Sequence, residues 1–302
     1  MPTPGPDPRR IEQAAARFAR DPFARSMGVA IAALDHDRAT LALPYRAEHM
    51  NAVGVLNGGA SATLLLMAGA LAAWTGVDLE ADLHLGCVDL AVQYLASSTG
   101  EDVEATARVL RRARDLAFLD VDVRSRAGAP VCHGLVTYRT ADYGGRSPRR
   151  TARHAPLPAP APAGLPEPSR LFRGYVAKLG MTPAHQEPGR VRLTMPCGPA
   201  HLDEQGRMHA GVVASIVDIA AVAASWSMVT RRPGIRGSTI AMQVSFPDTA
   251  AAPVVAEAHV HERAEALLFN TVHVTAPDSG RLLALGQVSY RLLEPWPEAP
   301  GA

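Results

Sequence analysis

Disulfide chemistry is the first thing this sequence lacks the means for. It has three cysteines, Cys87, Cys132 and Cys197, an odd number with no C-x-x-C pair. That argues against a disulfide framework and suits a reducing compartment, so a cytoplasmic location is expected. An excess of one charge is missing too. Thirty Lys and Arg stand against 29 Asp and Glu, so no global field draws nucleic acid or an anionic membrane, and neither is expected as a partner. The opening stretch MPTPGPDPRRIEQ has no apolar core of the signal-peptide kind. No H-E-x-x-H and no Cys/His ligand spacing occurs. The scattered His201, Asp203 and His209, and the alternating His259 and His261, make no zinc set, and no metal is expected. Aromatics are scarce at 5% of residues.

Apolar residues are plentiful at 47%, with alanine doing much of the work. Enough core can be built for two domains of ordinary size. The greasiest stretch, from Val212 to Val229, reaches the lower limit of a membrane span but carries Asp218, which is costly in lipid. A buried helix of a globular protein is expected there instead.

Residues 144–168 are rich in Pro, Ala and Arg and read as a linker, partly polyproline II. Across it the chain repeats itself. Gly28 and Gly180, Gly54 and Gly206, Gly59 and Gly211, and Tyr138 and Tyr290 are each separated by 152 positions. Two copies of one domain are expected, at 1–143 and 169–302. Each copy reads as an amphipathic lead-in helix (RRIEQAAARFAR; SRLFRGYVAKLG), a short strand, a loop, a long apolar helix (GGASATLLLMAGALAAW; AGVVASIVDIAAVAASW) and four alternating strands. A helix apolar on every side, followed by antiparallel strands, predicts an α+β layout with a curved sheet wrapped round it.

The loop-to-helix segment resembles the N-x-x-G-x-x-H-G-G signature, with an Asp nine residues after the His, of hotdog-fold thioesterases of the PaaI type. The first copy has Asn51, Gly54, Asn57, Gly58, Gly59 and then Leu66. The second has Asp203, Gly206, His209, Ala210, Gly211 and then Asp218. The resemblance covers both copies. It implies two hotdog domains packed as an internal pseudo-dimer, acyl-CoA as substrate and no cofactor beyond the CoA that the substrate carries. It also implies thioester hydrolysis at sites between the units, and pairing of double hotdogs into a homodimer.

Each copy departs from the signature, and the departures are complementary. Nine residues of helix span about 13 Å, so one thioester carbon cannot reach both ends of the same signature. If the two central helices run antiparallel, the start of one approaches the middle of the other. One composite site then joins Asn51, Asn57, Gly58 and Gly59 to Asp218. The other joins Asp203, His209 and Ala210 to Leu66 and has no acid. In the first, Gly58 and its neighbours would offer backbone N–H groups to developing oxyanion charge. Asn57 would cap the helix and, with Gly59, bind substrate. Asn51 would orient water or the carbonyl. Asp218 would act as general base or as nucleophile, its pKa raised by apolar surroundings. Thr239 stands where the family often has Ser or Thr beside the acid; Cys87 holds that place in the other copy. The arginines of RRAR (111–114) and TRRPGIR (230–236) are candidates for the CoA phosphates, or are solvated charged edges. Two other readings stay open: a non-catalytic binder of acyl-CoA or acyl carrier, and an enoyl-CoA hydratase or dehydratase.

Overall fold

A computed structural model describes residues 7–81, 83–142, 170–230 and 234–293. The predicted linker falls outside them. The first repeat runs α1 (Pro8–Phe18), α2 (Pro22–Met27), β1 (Ala30–Asp35), β2 (Arg38–Leu43), α3 (Gly58–Trp74), β3 (Leu83–Tyr94), β4 (Val103–Arg112), β5 (Leu116–Ser125) and β6 (Pro130–Asp142). The second runs α4 (Tyr175–Lys178), β7 (Thr182–Glu187), β8 (Arg190–Met195), α5 (Ala210–Ser227), β9 (Arg236–Ser245), β10 (Val254–Ala264), β11 (Leu267–Ala276) and β12 (Arg281–Leu293). The strands form one antiparallel sheet of 12, in the order β1-β2-β4-β5-β6-β3-β9-β12-β11-β10-β8-β7. Each half wraps its own central helix, which makes two hotdog units.

The central helices sit where their composition sends them. In α3 every residue except Gly58 and Ala70 is buried, and in α5 everything from Gly211 to Ser225 is. Helix α5 has the length and hydropathy of a membrane span, yet its apolar sides are covered by β8, β10, β11, β12 and α3. Burial on all sides is what a helix without a polar face requires.

Side-chain contacts fix how the two helices pass. The Ser215 hydroxyl donates to the Gly59 carbonyl at 3.2 Å, and the Thr63 hydroxyl donates to the Gly211 carbonyl at 3.0 Å. Numbers rise on one helix as they fall on the other, so α3 and α5 are antiparallel. Glycine is required at the crossing. A Cβ on Gly59 would stand 3.0 Å from the Ser215 Cα, and one on Gly211 would stand 3.0 Å from the Thr63 Cα. At the middle of the sheet, β3 pairs with β9 so that Ala91 lies opposite Gln243, its own counterpart in the repeat. Both contacts lie on one pseudo-two-fold axis. The repeats also share internal bonds: Trp74 Nε1–H donates to the Tyr138 hydroxyl at 3.0 Å, and Trp226 Nε1–H to Tyr290 at 2.9 Å.

Two sequence expectations need correction. Each repeat has six strands, not five. The additional β1 and β7 form the two edges of the sheet, where little is buried and alternation is weak. Pro183 is tolerated in β7 because an edge strand can spare a donor. The lead-in of the second repeat is also not one helix. On the 152-residue register, SRLFRGYVAKLG answers to residues 17–28, the end of α1 together with α2. Gly174, at φ 55°, breaks it just before the four-residue α4. A Cβ there would lie 2.1 Å from the Met50 carbonyl oxygen.

Candidate active site

Each central helix begins after the same loop. Asn51 Oδ1 accepts from the backbone N–H groups of Val53 and Val55 at 3.0 and 3.1 Å. Asp203 Oδ1 accepts from Gln205 and Arg207 in the same way, at 2.9 Å each. These side chains fold the loop, with Gly54 and Gly206 turning it at φ 79° and 73°. The Asn51 amide oxygen is thus committed to its own backbone. Asp203 does not act as an unpaired charge either, because Arg207 grips its second oxygen with Nε at 3.1 Å and Nη2 at 2.9 Å. The helices are then capped alike: Asn57 Oδ1 accepts from Gly59 N–H, and His209 Nδ1 accepts from Gly211 N–H, both at 2.9 Å.

Asp218, in the middle of α5, is 2% exposed. Its Oδ2 lies 2.9 Å from where a Cβ on Gly58 would stand, so it meets the first residue of α3 from the other repeat. Its Oδ1 accepts from the Thr239 hydroxyl at 2.6 Å. Thr239 is aimed there by a bulge: β9 slips by one residue against β12 between Thr239 and Ala241. Burial pushes the Asp218 carboxyl up to about 6, against the bonds from Thr239 and the Gly59 backbone, which pull it down. The helix N-terminus also favours the ionised form. Asp218, Gly58, Gly59, Asn57 and Thr239 therefore share one place, while Asn51 shapes the loop above it.

Tyr94 belongs to this group and was not among the expected residues. Its hydroxyl donates to the Gly58 carbonyl at 3.1 Å, and its ring closes the other side of Gly58. Burial, and next to it the Asp218 charge, hold the phenol well above its usual range, so it stays a donor. A signal existed in the repeat: position 246, its counterpart, is Phe.

The pseudo-symmetric place is built differently. A cavity there is walled by Leu66, Met67, Trp74, Val213 and Phe246, with Cys87, His209, Ala210 and Arg207 also facing it. Leu66 and Cys87 occupy the positions of Asp218 and Thr239. The expectation of no acid in this site needs correction, since Asp21, the N-cap of α2, lines the cavity at 2% exposure. Its counterpart on the 152-residue register is Arg173. Asp21 Oδ2 stands 3.7 Å from His209 Nε2. Burial raises its carboxyl, and His209 only partly offsets this.

Of the arginines expected to hold phosphates, Arg112 is engaged elsewhere. It bonds Asp37 and the carbonyls of Ala72 and Ala73 at the end of α3. Arg111, Arg114 and Arg236 are exposed; Arg231 and Arg232 lie outside the described residues. Among the described residues no group of His, Cys, Asp or Glu could hold a metal ion.

Comparison with known proteins agrees with this architecture. A sequence model of the thioesterase superfamily matches residues 53–132. Human acyl-coenzyme A thioesterase 13 is 34% identical over 101 residues, which is 30% of this chain and 64% of that protein; the chain thus spans less than two thirds of that relative's length. A hot dog fold protein of unknown function from Alicyclobacillus acidocaldarius superposes with a TM-score of 0.61 over 85% of this chain and 94% of its own, at 15% identity. Acyl-CoA thioesterase II of Mycobacterium marinum does so with a TM-score of 0.58 over 86% and 94%, at 12% identity. The structure is thus a tandem hotdog fold, and residues 53–132 of its first unit match the thioesterase superfamily by sequence.

Proposed function

We propose that the chain hydrolyses an acyl-CoA thioester, and does so at one composite site between its repeats. The reading is carried by a single observation: the buried Asp218 carboxylate of the second repeat faces Gly58 at the start of the first repeat's central helix. The name of the human relative, an acyl-coenzyme A thioesterase, suggests the substrate class.

The thioester carbonyl would lie at the start of α3, where unpaired backbone N–H groups and the helix dipole stabilise developing negative oxygen. The absence of a side chain at Gly58 lets the Asp218 carboxylate come close to the helix start. Asp218, ionised above about pH 6, takes a proton from water as the water attacks the carbonyl carbon. The tetrahedral intermediate then expels the CoA thiolate. The same carboxylate attacking directly would give a mixed anhydride that water opens, with identical products. Thr239 holds the carboxylate through Oδ1, and Oδ2 faces the start of α3. Tyr94 fixes the helix start through the Gly58 carbonyl. A reducing, cytoplasmic setting suits the three free cysteines.

The test is thiol release from a panel of acyl-CoAs. Wild-type protein should release thiol from at least one, and folded Asp218→Asn should release it about 10²–10⁴-fold more slowly. An inactive wild type against every acyl chain would sink the hydrolase reading and favour a binding protein.

A further inference from the structure

We propose that the second inter-repeat cavity, the one holding His209 and Leu66, binds the carbonyl end of an acyl thioester without hydrolysing it. This rests on the reading of the first site as a thioester site, because the two-fold axis places the same capped helix start here. What differs is the chemistry at each counterpart position.

His209 supplies a donor. Its Nδ1 accepts a backbone N–H, so that nitrogen carries no proton and the neutral ring carries it on Nε2. Asp21 Oδ2, at 3.7 Å, is too far to take that proton in a hydrogen bond. The Nε2–H therefore remains for a ligand acceptor. Leu66, Met67, Trp74, Val213 and Phe246 give an apolar bed for an acyl chain. A free carboxylate is a poor fit: it would meet Asp21, and the cationic Arg207 is already engaged by Asp203. The other acids at the rim, Glu204 and Asp248, are neutralised by Arg17 and Arg281. A neutral carbonyl suits one neutral donor.

Turnover is not expected. Where the first site has its carboxylate, this one has the Leu66 side chain. Burial pushes the Cys87 thiol far up, so it is not a thiolate nucleophile. Asp21 Oδ1 is tied to the Ala24 N–H at 2.8 Å as a helix cap, and the carboxylate faces His209 rather than the position of Leu66.

The probe is a carba-CoA, in which a methylene replaces the thioester sulfur. It keeps the carbonyl and cannot be hydrolysed. Two-, six- and ten-carbon acyl versions would be titrated calorimetrically into the full chain, with thiol release measured separately on true thioesters. Two equivalents should bind per chain for at least one probe. Ala70→Phe, which fills the cavity from a half-buried position, should leave one equivalent and unchanged thiol release. His209→Ala should weaken only the second equivalent, by about tenfold, the effect of losing one such hydrogen bond. One equivalent in the wild type, or two that neither variant alters, would overturn the proposal. Two equivalents in a protein that releases no thiol would instead sink the hydrolase reading and leave this cavity standing.

Discussion

The two inter-repeat sites share their scaffold almost bond for bond and differ in what the scaffold presents. Loop, cap, bulge and helix crossing recur on both sides of the axis. At the first site they present Asp218, Thr239, Tyr94 and Gly58; at the second they present Leu66, Cys87, Phe246 and Ala210. Duplication keeps whatever both halves need to fold and leaves each site free to change its chemistry. The backbone of such a protein says where sites are, and differences between the repeats say what each does.

The largest expected effect breaks the comparison on one side only. Asp218→Asn should lower kcat by 10²–10⁴-fold, the usual worth of a positioned proton acceptor. Leu66→Ala should cost about 2–5 kcal/mol of stability for the cavity it leaves but change turnover by no more than a few fold. Guanidinium unfolding and thiol release measure both. Asp218→Asn carries a second signature. Burial pushes the native carboxyl up to about 6, above its ordinary value of 3.8. The native state therefore holds a proton that the unfolded state has lost between those values, and stability falls as pH rises through that window. Removing the charge should stabilise the protein by roughly 3 kcal/mol at pH 7, and the advantage should vanish near pH 4.

Gly58→Ala comes next. Its methyl would stand 2.9 Å from Asp218 Oδ2 and should cost about 10²-fold in kcat/KM, comparable to losing one oxyanion donor. The mirror change, Ala210→Gly, should leave the rate alone. Thr239→Val removes a bond that lowers the Asp218 pKa, so the acidic limb of the pH–rate profile should move upward; Cys87→Val should not move it. The smallest effects should be symmetric. Trp74→Phe and Trp226→Phe each remove one indole–phenol bond and should each cost about 1 kcal/mol, equal within error on thermal unfolding.

Much of this was legible in the sequence for physical reasons. A 152-residue register in the glycines survives because the turns and the helix crossing tolerate nothing else. Helices apolar on all faces, such as α3 and α5, have one solution, which is to be wrapped. The nearness of Asp218 to Gly58 followed from the resemblance, which implies sites between the units, together with complementary losses and helix geometry. The edge strands β1 and β7 were not legible, because an edge buries too little to impose alternation. Tyr94 was hidden because a tyrosine in a strand satisfies β-propensity before it signals anything else. Asn51 looked chemical, but its amide oxygen does the backbone work that Asp203 does in the other repeat. Asp21 belongs to no motif in the sequence; it caps α2, and only the fold turns its other oxygen toward His209.

The central claim is that an acid from one repeat serves the helix start of the other. A double-mutant cycle on Gly58→Ala and Asp218→Asn, read as kcat/KM for thiol release, tests it most directly, since residues sharing one site are not additive. The double variant should be no slower than Asp218→Asn alone. If the two losses multiply in full, Gly58 and Asp218 act in separate places and the composite site does not exist.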